Sequence, residues 1–152
     1  MKKPARGFTL IELLVVVSII GILFTIGIAQ YMNFNRSQIL DQTAQELKNN
    51  LRLAQTMAFT GEKPGECIAL DGYQVSFSSD SYIIQPVCGG NVVDSGKKTF
   101  YLPLGVGFTS IPSPILFKVL AQGTSLADNL TISLTGFNLS RNVVVTKEGK
   151  IE

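Results

Sequence analysis

The feature that most constrains this chain is a long uncharged run near its N-terminus. Residues 13–35 contain no Asp, Glu, Lys or Arg, and Ile, Leu and Val dominate the run. A helix of 23 residues spans roughly 35 Å, enough to cross the ~30 Å hydrocarbon core of a bilayer. The run therefore predicts a transmembrane helix over residues 8–35, behind a short basic leader at residues 1–7.

The following segment, residues 36–64, carries an apolar stripe at helical spacing. The stripe consists of Leu40, Ala44, Leu47, Leu51, Ala54 and Ala58. Polar side chains are available for the opposite face, namely Arg36, Gln42, Lys48, Asn49 and Arg52. Such spacing is typical of an amphipathic helix. Because no breaker separates it from the uncharged run, we expect one helix from Phe8 to Thr60, about 80 Å long. Gly61 and Pro64 would end it.

Residues 65–152 change to a β pattern. The alternation from Leu130 to Leu134 is typical of a half-buried strand. The predicted strands are Ile68–Leu70, Tyr73–Phe77, Tyr82–Val87, Thr99–Leu102, Ile115–Leu120, Asn129–Leu134 and Asn142–Thr146. Turns are predicted at Asp71-Gly72, Ser78–Ser81, Gly89–Asn91 and Pro112–Pro114. The fold class is therefore α+β, a long N-terminal helix packed on a C-terminal antiparallel β domain.

The composition argues against an enzyme. The chain has no histidine, which excludes Ser-His-Asp and Cys-His catalytic sets and deprives a zinc site of its commonest nitrogen ligand. Its carboxylates are scattered singly, without a pair for acid–base work. We therefore expect no catalytic residue, no metal site and no cofactor.

The boundary between leader and helix carries a recognisable motif, Arg6-Gly7-Phe8-Thr9-Leu10-Ile11-Glu12-Leu13. It resembles the type III signal of type IV pilins and secretion pseudopilins. The resemblance implies that a prepilin peptidase cleaves after Gly7, that Phe8 is then N-methylated, and that Glu12 acts in assembly. An unpaired carboxylate in a membrane helix is costly, so Glu12 is a functional candidate on physical grounds too. The alternative is a simple signal anchor with an incidental Glu near the interface.

The rest of the chain is similar to the GspH/FimT group of minor pseudopilins. The similar stretches are Leu51–Thr56, Pro103–Gly105 and the terminal Gly149-Lys150-Ile151. Many pilus-building pilins have a proline where this chain has Ala29. The resemblance implies a pilin-like fold and a minor pseudopilin of type II secretion, with the helix in the bacterial inner membrane and the globular domain outside. Its implied partners are the peptidase, other pilins in a helical fibre, secreted cargo and the outer-membrane secretin.

A second function remains open, a minor type IV pilin of the FimT kind that acts in pilus assembly or DNA uptake. Arg141, Lys147 and Lys150 lie close together near the C-terminus and are the candidate DNA-binding residues. From Phe8 onward, however, the chain has 10 basic and 11 acidic side chains. A balanced charge gives no general attraction to phosphates, so DNA is not an expected partner.

The two cysteines flank a predicted hairpin. Cys67 precedes Tyr73–Phe77 and Cys88 follows Tyr82–Val87. A disulfide between them would suit a domain outside the cytoplasm, whereas the alternative is a pair of buried thiols. Either role is structural.

Overall fold

The computed structural model describes Gly7 and residues 9–152; at residues 25–27, 29 and 121 it describes the backbone alone. The chain divides into two compact units, Met1–Arg36 and Ser37–Glu152.

A single helix, α1, runs from Leu10 to Thr60 and comprises 51 residues. It confirms the helix expected from the sequence, although Phe8 lies outside the described residues. The helix ends at Thr60 and is followed by Gly61, whose φ of 65° is a left-handed conformation that glycine adopts without steric cost. The Gly61 amide donates to the Ala58 carbonyl at 3.3 Å and the Glu62 amide to that of Met57 at 3.2 Å. This pair of bonds is a Schellman motif, which satisfies carbonyls that the helix end leaves free.

In the described part of the chain, eight strands form two antiparallel sheets. The strands are β1 (Leu70–Phe77), β2 (Ser81–Cys88), β3 (Asn91–Val92), β4 (Lys98–Tyr101), β5 (Val106–Phe108), β6 (Ile115–Lys118), β7 (Leu130–Gly136) and β8 (Leu139–Val145). The first sheet has the order β3-β2-β1-β6, with β4 also paired to β2. The second has the order β5-β7-β8. The α+β class is thereby confirmed.

Both sheets and the second part of α1 build one core in the unit Ser37–Glu152. All six residues of the predicted apolar stripe are buried, and Met57 joins them. The first sheet contributes Tyr73, Val75, Phe77, Tyr82, Ile84, Ile115 and Phe117. The second contributes Val106, Ile132, Leu134, Val143 and Val145, and Ile151 adds to it through a bridge with Val145. The stripe is therefore the face of the helix that covers the β domain.

Several predicted boundaries are wrong. Ile68–Leu70 is not a separate strand: β1 begins at Leu70, and Ile68 is 94% exposed beside the cystine at Cys67. The pair Asp71-Gly72 is no turn but lies inside β1, where the register with β2 shifts. The expected strand Ile115–Leu120 stops at Lys118, because a 3₁₀ turn follows over Val119–Ala121. Short strands β3 and β5 were not predicted.

Candidate functional site: the helix start and the basic C-terminal residues

The described part of the processing motif is the start of α1. Gly7 is exposed and precedes the helix, while Phe8, the predicted methylation position, lies outside the described residues, as do Met1–Arg6 of the leader. The Thr9 carbonyl accepts the first helical hydrogen bond, from the Leu13 amide at 3.2 Å. The Thr9 side-chain oxygen accepts a bond from the Glu12 amide at 3.3 Å. Thr9 is therefore the N-cap of the helix.

Glu12 occupies the third position after this cap, so that Thr9 and Glu12 have the spacing of a capping box. Its side chain is exposed in the isolated chain. A carboxylate in the first turn interacts favourably with the positive end of the helix dipole. The geometry thus leaves the Glu12 carboxylate free to accept from a cationic group outside the described residues or on another molecule.

The first part of α1 presents large apolar side chains to its surroundings. Phe24 is 67% exposed and Tyr31 71% exposed, and these two form a shallow notch of about 370 Å³ with Leu23 and Ile28. The Ser18 hydroxyl donates to the Leu14 carbonyl at 2.8 Å, which satisfies that polar group within the helix. In the residues that the structure describes, no helix contains a stretch long and apolar enough to count as a membrane span.

The two cysteines are joined. Cys67 and Cys88 form a disulfide with a Cα–Cα distance of 5.6 Å, which confirms the bridge and rules out the paired thiols. The bond ties the segment after α1 to the end of β2. Next to it, the Gly90 amide donates to an Asp71 carboxylate oxygen at 2.6 Å. The disulfide holds the connection between α1 and the first sheet.

The three candidate DNA-binding residues each have an acidic partner. Arg141 binds Asp41, while Lys147 lies 3.8 Å from Glu148. Lys150 forms an ion pair with Glu152. Hydrogen bonding from Lys150 lowers the pKa of Glu152, and the same bond raises the pKa of Lys150. The geometry therefore offsets the positive charge of each candidate with a carboxylate of the same unit.

The sequence does not indicate the contacts that join α1 to distant residues of the β domain. Two Arg141 nitrogens approach the Asp41 carboxylate, Nε to Oδ1 at 2.5 Å and Nη2 to Oδ2 at 3.2 Å. Hydrogen bonding from Arg141 is the main reason why the pKa of Asp41 lies below its ordinary value. On the same helix, the Gln55 amide group donates to the Gly149 carbonyl at 2.9 Å. These partners are about 100 residues apart, so no local pattern indicates them.

The model of the prokaryotic N-terminal methylation motif matches residues 2–28. A type IV major fimbrial protein FimA of Dichelobacter nodosus is 36% identical over 103 residues, which cover 62% of this chain and 64% of the relative. A second FimA from the same organism is 40% identical over 67 residues, or 44% of this chain and 43% of the relative. No solved structure matches the chain.

A further relative from Dichelobacter nodosus is a probable minor fimbrial protein, 58% identical over 38 residues that cover 24% of each chain. The chain therefore spans just under two thirds of the first relative and a quarter to less than half of the others mentioned. These relatives are structural pilin subunits and not enzymes. The matched motif implies a membrane-anchored N-terminus with an exposed globular domain. The chain thus carries a prokaryotic N-terminal methylation motif and is similar to type IV fimbrial proteins, a probable minor fimbrial protein among them.

Proposed function

We propose that this chain is a minor subunit of a type IV pilin-like fibre. The observation that carries the proposal is the methylation motif at residues 2–28 in a chain homologous to fimbrial proteins. Cleavage by a prepilin peptidase after Gly7 would leave Phe8 as the N-terminus, where methylation keeps the amine basic. Residues 8–35 would anchor the chain in the bacterial inner membrane and later pack against other pilins. The unit Ser37–Glu152 would lie outside the membrane.

Glu12 has a specific role in this proposal. The new N-terminal amine at Phe8 lies four residues before Glu12, and in a fibre the amine of one subunit would meet the Glu12 carboxylate of its neighbour. A charge inside an apolar helix bundle costs several kcal/mol unless it is paired. Pairing would compensate both groups at once and would also set the axial register between subunits. The exposure of the Glu12 side chain in the isolated chain supports this reading.

The test is the substitution Glu12→Ala, with Glu46→Ala as the matched control. Both remove an exposed carboxylate from α1, but Glu46 belongs to the unit Ser37–Glu152. We expect the Glu12 variant to insert and to be processed, because the apolar run suffices for both, yet to fall at least tenfold in sheared fibres. Wild-type levels of that variant in fibres, or an equal fall in the control, would contradict the proposal.

A second candidate is a pseudopilin of type II secretion, with cargo and the outer-membrane secretin as partners. It is favoured by Ala29, which stands where many pilus-building pilins have proline. The names of the relatives favour the fimbrial machine instead. A deletion strain separates the two: loss of surface pili with intact exoprotein secretion supports the fimbrial role, and the reverse supports the secretion role. Neighbouring genes for a secretin and for exported enzymes would support the secretion role, as a secretion defect would.

A further inference from the structure

One contact in the unit Ser37–Glu152 links the first residues of that unit to a strand 100 residues away in sequence. The Arg141 guanidinium binds both Asp41 carboxylate oxygens, and its Nη2 also lies 3.4 Å from the Ser37 Oγ. The Ser37 hydroxyl in turn lies 3.5 Å from Asp41 Oδ2. A bidentate arrangement of this kind fixes orientation as well as distance, because the guanidinium fork is planar and rigid. We call Ser37, Asp41 and Arg141 the clasp.

The clasp lies where α1 enters the folded core. Ser37 is the first residue of the unit, and Leu40 is the first of its fully buried core residues. Apolar packing holds this turn through Leu40 and the partly buried Ile39, whereas the side chains of Ser37 and Asp41 are only partly buried and are held by polar contacts. On the other side, Arg141 belongs to β8, opposite Leu134 of β7. The clasp therefore joins the outermost turn of the packed helix to the β7–β8 hairpin.

The hairpin end that carries Arg141 has a two-residue turn with positive φ at both positions, which is the type I′ geometry that suits a β-hairpin. Phe137 and Asn138 connect β7 and β8 with φ of 57° and 64°, which is the left-handed region at two successive non-glycine residues. The aromatic ring of Phe137 covers Gly105, where an added Cβ would lie 3.0 Å from its Cε1. A bulky residue in this region is held there only by its surroundings. Arg141, three residues further on, is one of the contacts that hold this hairpin end against α1.

We propose that the clasp is a conformational device that sets the residue at which α1 leaves the folded domain. When it is closed, the turn Ser37–Asp41 belongs to the domain. When it opens, residues 37–39 are released and the domain begins at Leu40, which the core retains. The Arg141 and Asp41 side chains are 38% and 42% exposed. The ion pair therefore contributes little to the free energy of global unfolding, and its effect is on local opening. This device does not depend on which fibre the chain joins.

The test is hydrogen–deuterium exchange of the full chain in neutral detergent micelles, comparing wild type with Arg141→Gln and Asp41→Asn. We expect about fivefold faster exchange of helix amides over residues 37–44 and of hairpin amides over residues 139–141, the fold-change that corresponds to losing a strong exposed ion pair. Amides around Leu47 and Leu51 should be unchanged. Arg52→Gln is the matched control, since Arg52 contacts the Ile151 carbonyl at 3.4 Å and not the hairpin.

A charge-swapped double variant, Asp41→Arg with Arg141→Asp, should restore at least part of the protection that each single variant loses. Arg141→Lys keeps the charge but not the fork, and should give an intermediate rate. Unchanged exchange over residues 37–44 in Arg141→Gln and Asp41→Asn would overturn the proposal. A uniform rise across the whole core would overturn it too, because the contact would then be a general stabiliser and not a local clasp.

Discussion

At the scale of single residues, Gly72 shows how closely two backbones can approach in this domain. It lies in β1 opposite Lys118 of β6, and a Cβ built on it would sit 2.0 Å from the Phe117 carbonyl oxygen. No side chain can occupy that position without a shift of backbone. The sequence pair Asp71-Gly72 resembles a turn, and only the partner strand, more than 40 residues later, shows why glycine is needed inside a strand.

Gly72→Ala is therefore expected to destabilise the domain by about 2–3 kcal/mol, as overpacking of a well-packed site does. The measurement is denaturant unfolding of the full chain in detergent, followed by circular dichroism. Gly65→Ala is the control, because nothing lies within 4 Å of a Cβ there, and it should stay within about 0.5 kcal/mol of wild type. Equal effects from the two substitutions would refute the steric explanation.

Gly7 and Phe8 lead to a prediction about covalent processing. In cells with an active prepilin peptidase, we expect the extracted chain to lack residues 1–7 and to carry one methyl group on Phe8. Intact-mass measurement of membrane-extracted protein checks both changes in one spectrum. A variant with Gly7→Leu should keep its leader, since a bulky side chain would then stand at the proposed cleavage position. Retention of the leader by the wild-type chain would refute the processing assignment.

At the scale of elements, the sequence predicts those parts of the fold that local patterning determines. The stripe from Leu40 to Ala58 identifies the buried face of α1, and the alternation in Leu130–Leu134 identifies β7. The sequence does not predict β3 and β5, which have two and three residues. Such short strands carry too few residues to show a period, and they exist because β2 and β7 offer them pairing partners.

The same limit applies to the candidate sites. The processing motif is local and could be found by reading eight consecutive residues, from Arg6 to Leu13. The clasp could not, because Asp41 and Arg141 become neighbours only after the domain has folded. The sequence therefore offers Arg141 as a candidate DNA-binding residue, whereas the fold gives it a carboxylate partner.

The disulfide connects two elements and should contribute to their stability. Cys67 and Cys88 are 21 positions apart, and closing a loop of that size is worth about 3 kcal/mol in the chain-entropy model. We expect the double variant Cys67→Ser, Cys88→Ser to lose stability of that order in denaturant unfolding. Dithiothreitol should lower the midpoint of the wild-type chain in the same way and leave the variant unaffected. Two reactive thiols in the unreduced wild-type chain would refute the bridge.

At the scale of the whole molecule, charge distinguishes a structural subunit from a DNA-binding one. Residues 36–152 contain 10 basic and 10 acidic side chains. Three of those basic side chains, Arg141, Lys147 and Lys150, are the DNA candidates, and each lies beside a carboxylate. Unpaired cations of a protein bind DNA by neutralising its phosphates, which releases the counterions condensed around them. The ion pairs therefore reduce the local field as well as the net charge.

We accordingly expect the chain in neutral detergent micelles to bind double-stranded DNA no tighter than about 10⁻⁶ M at physiological salt, the range of non-specific binding. Fluorescence anisotropy with a labelled duplex measures this. A double variant, Glu148→Gln with Glu152→Gln, removes the carboxylates that face Lys147 and Lys150 and should bind more tightly and with a steeper salt dependence. Lys118→Ala is a control for loss of one exposed cation elsewhere in the domain. Tighter binding by the wild-type chain, weakened by Lys147→Ala or Lys150→Ala and not by that control, would contradict the charge argument and favour a role in DNA uptake.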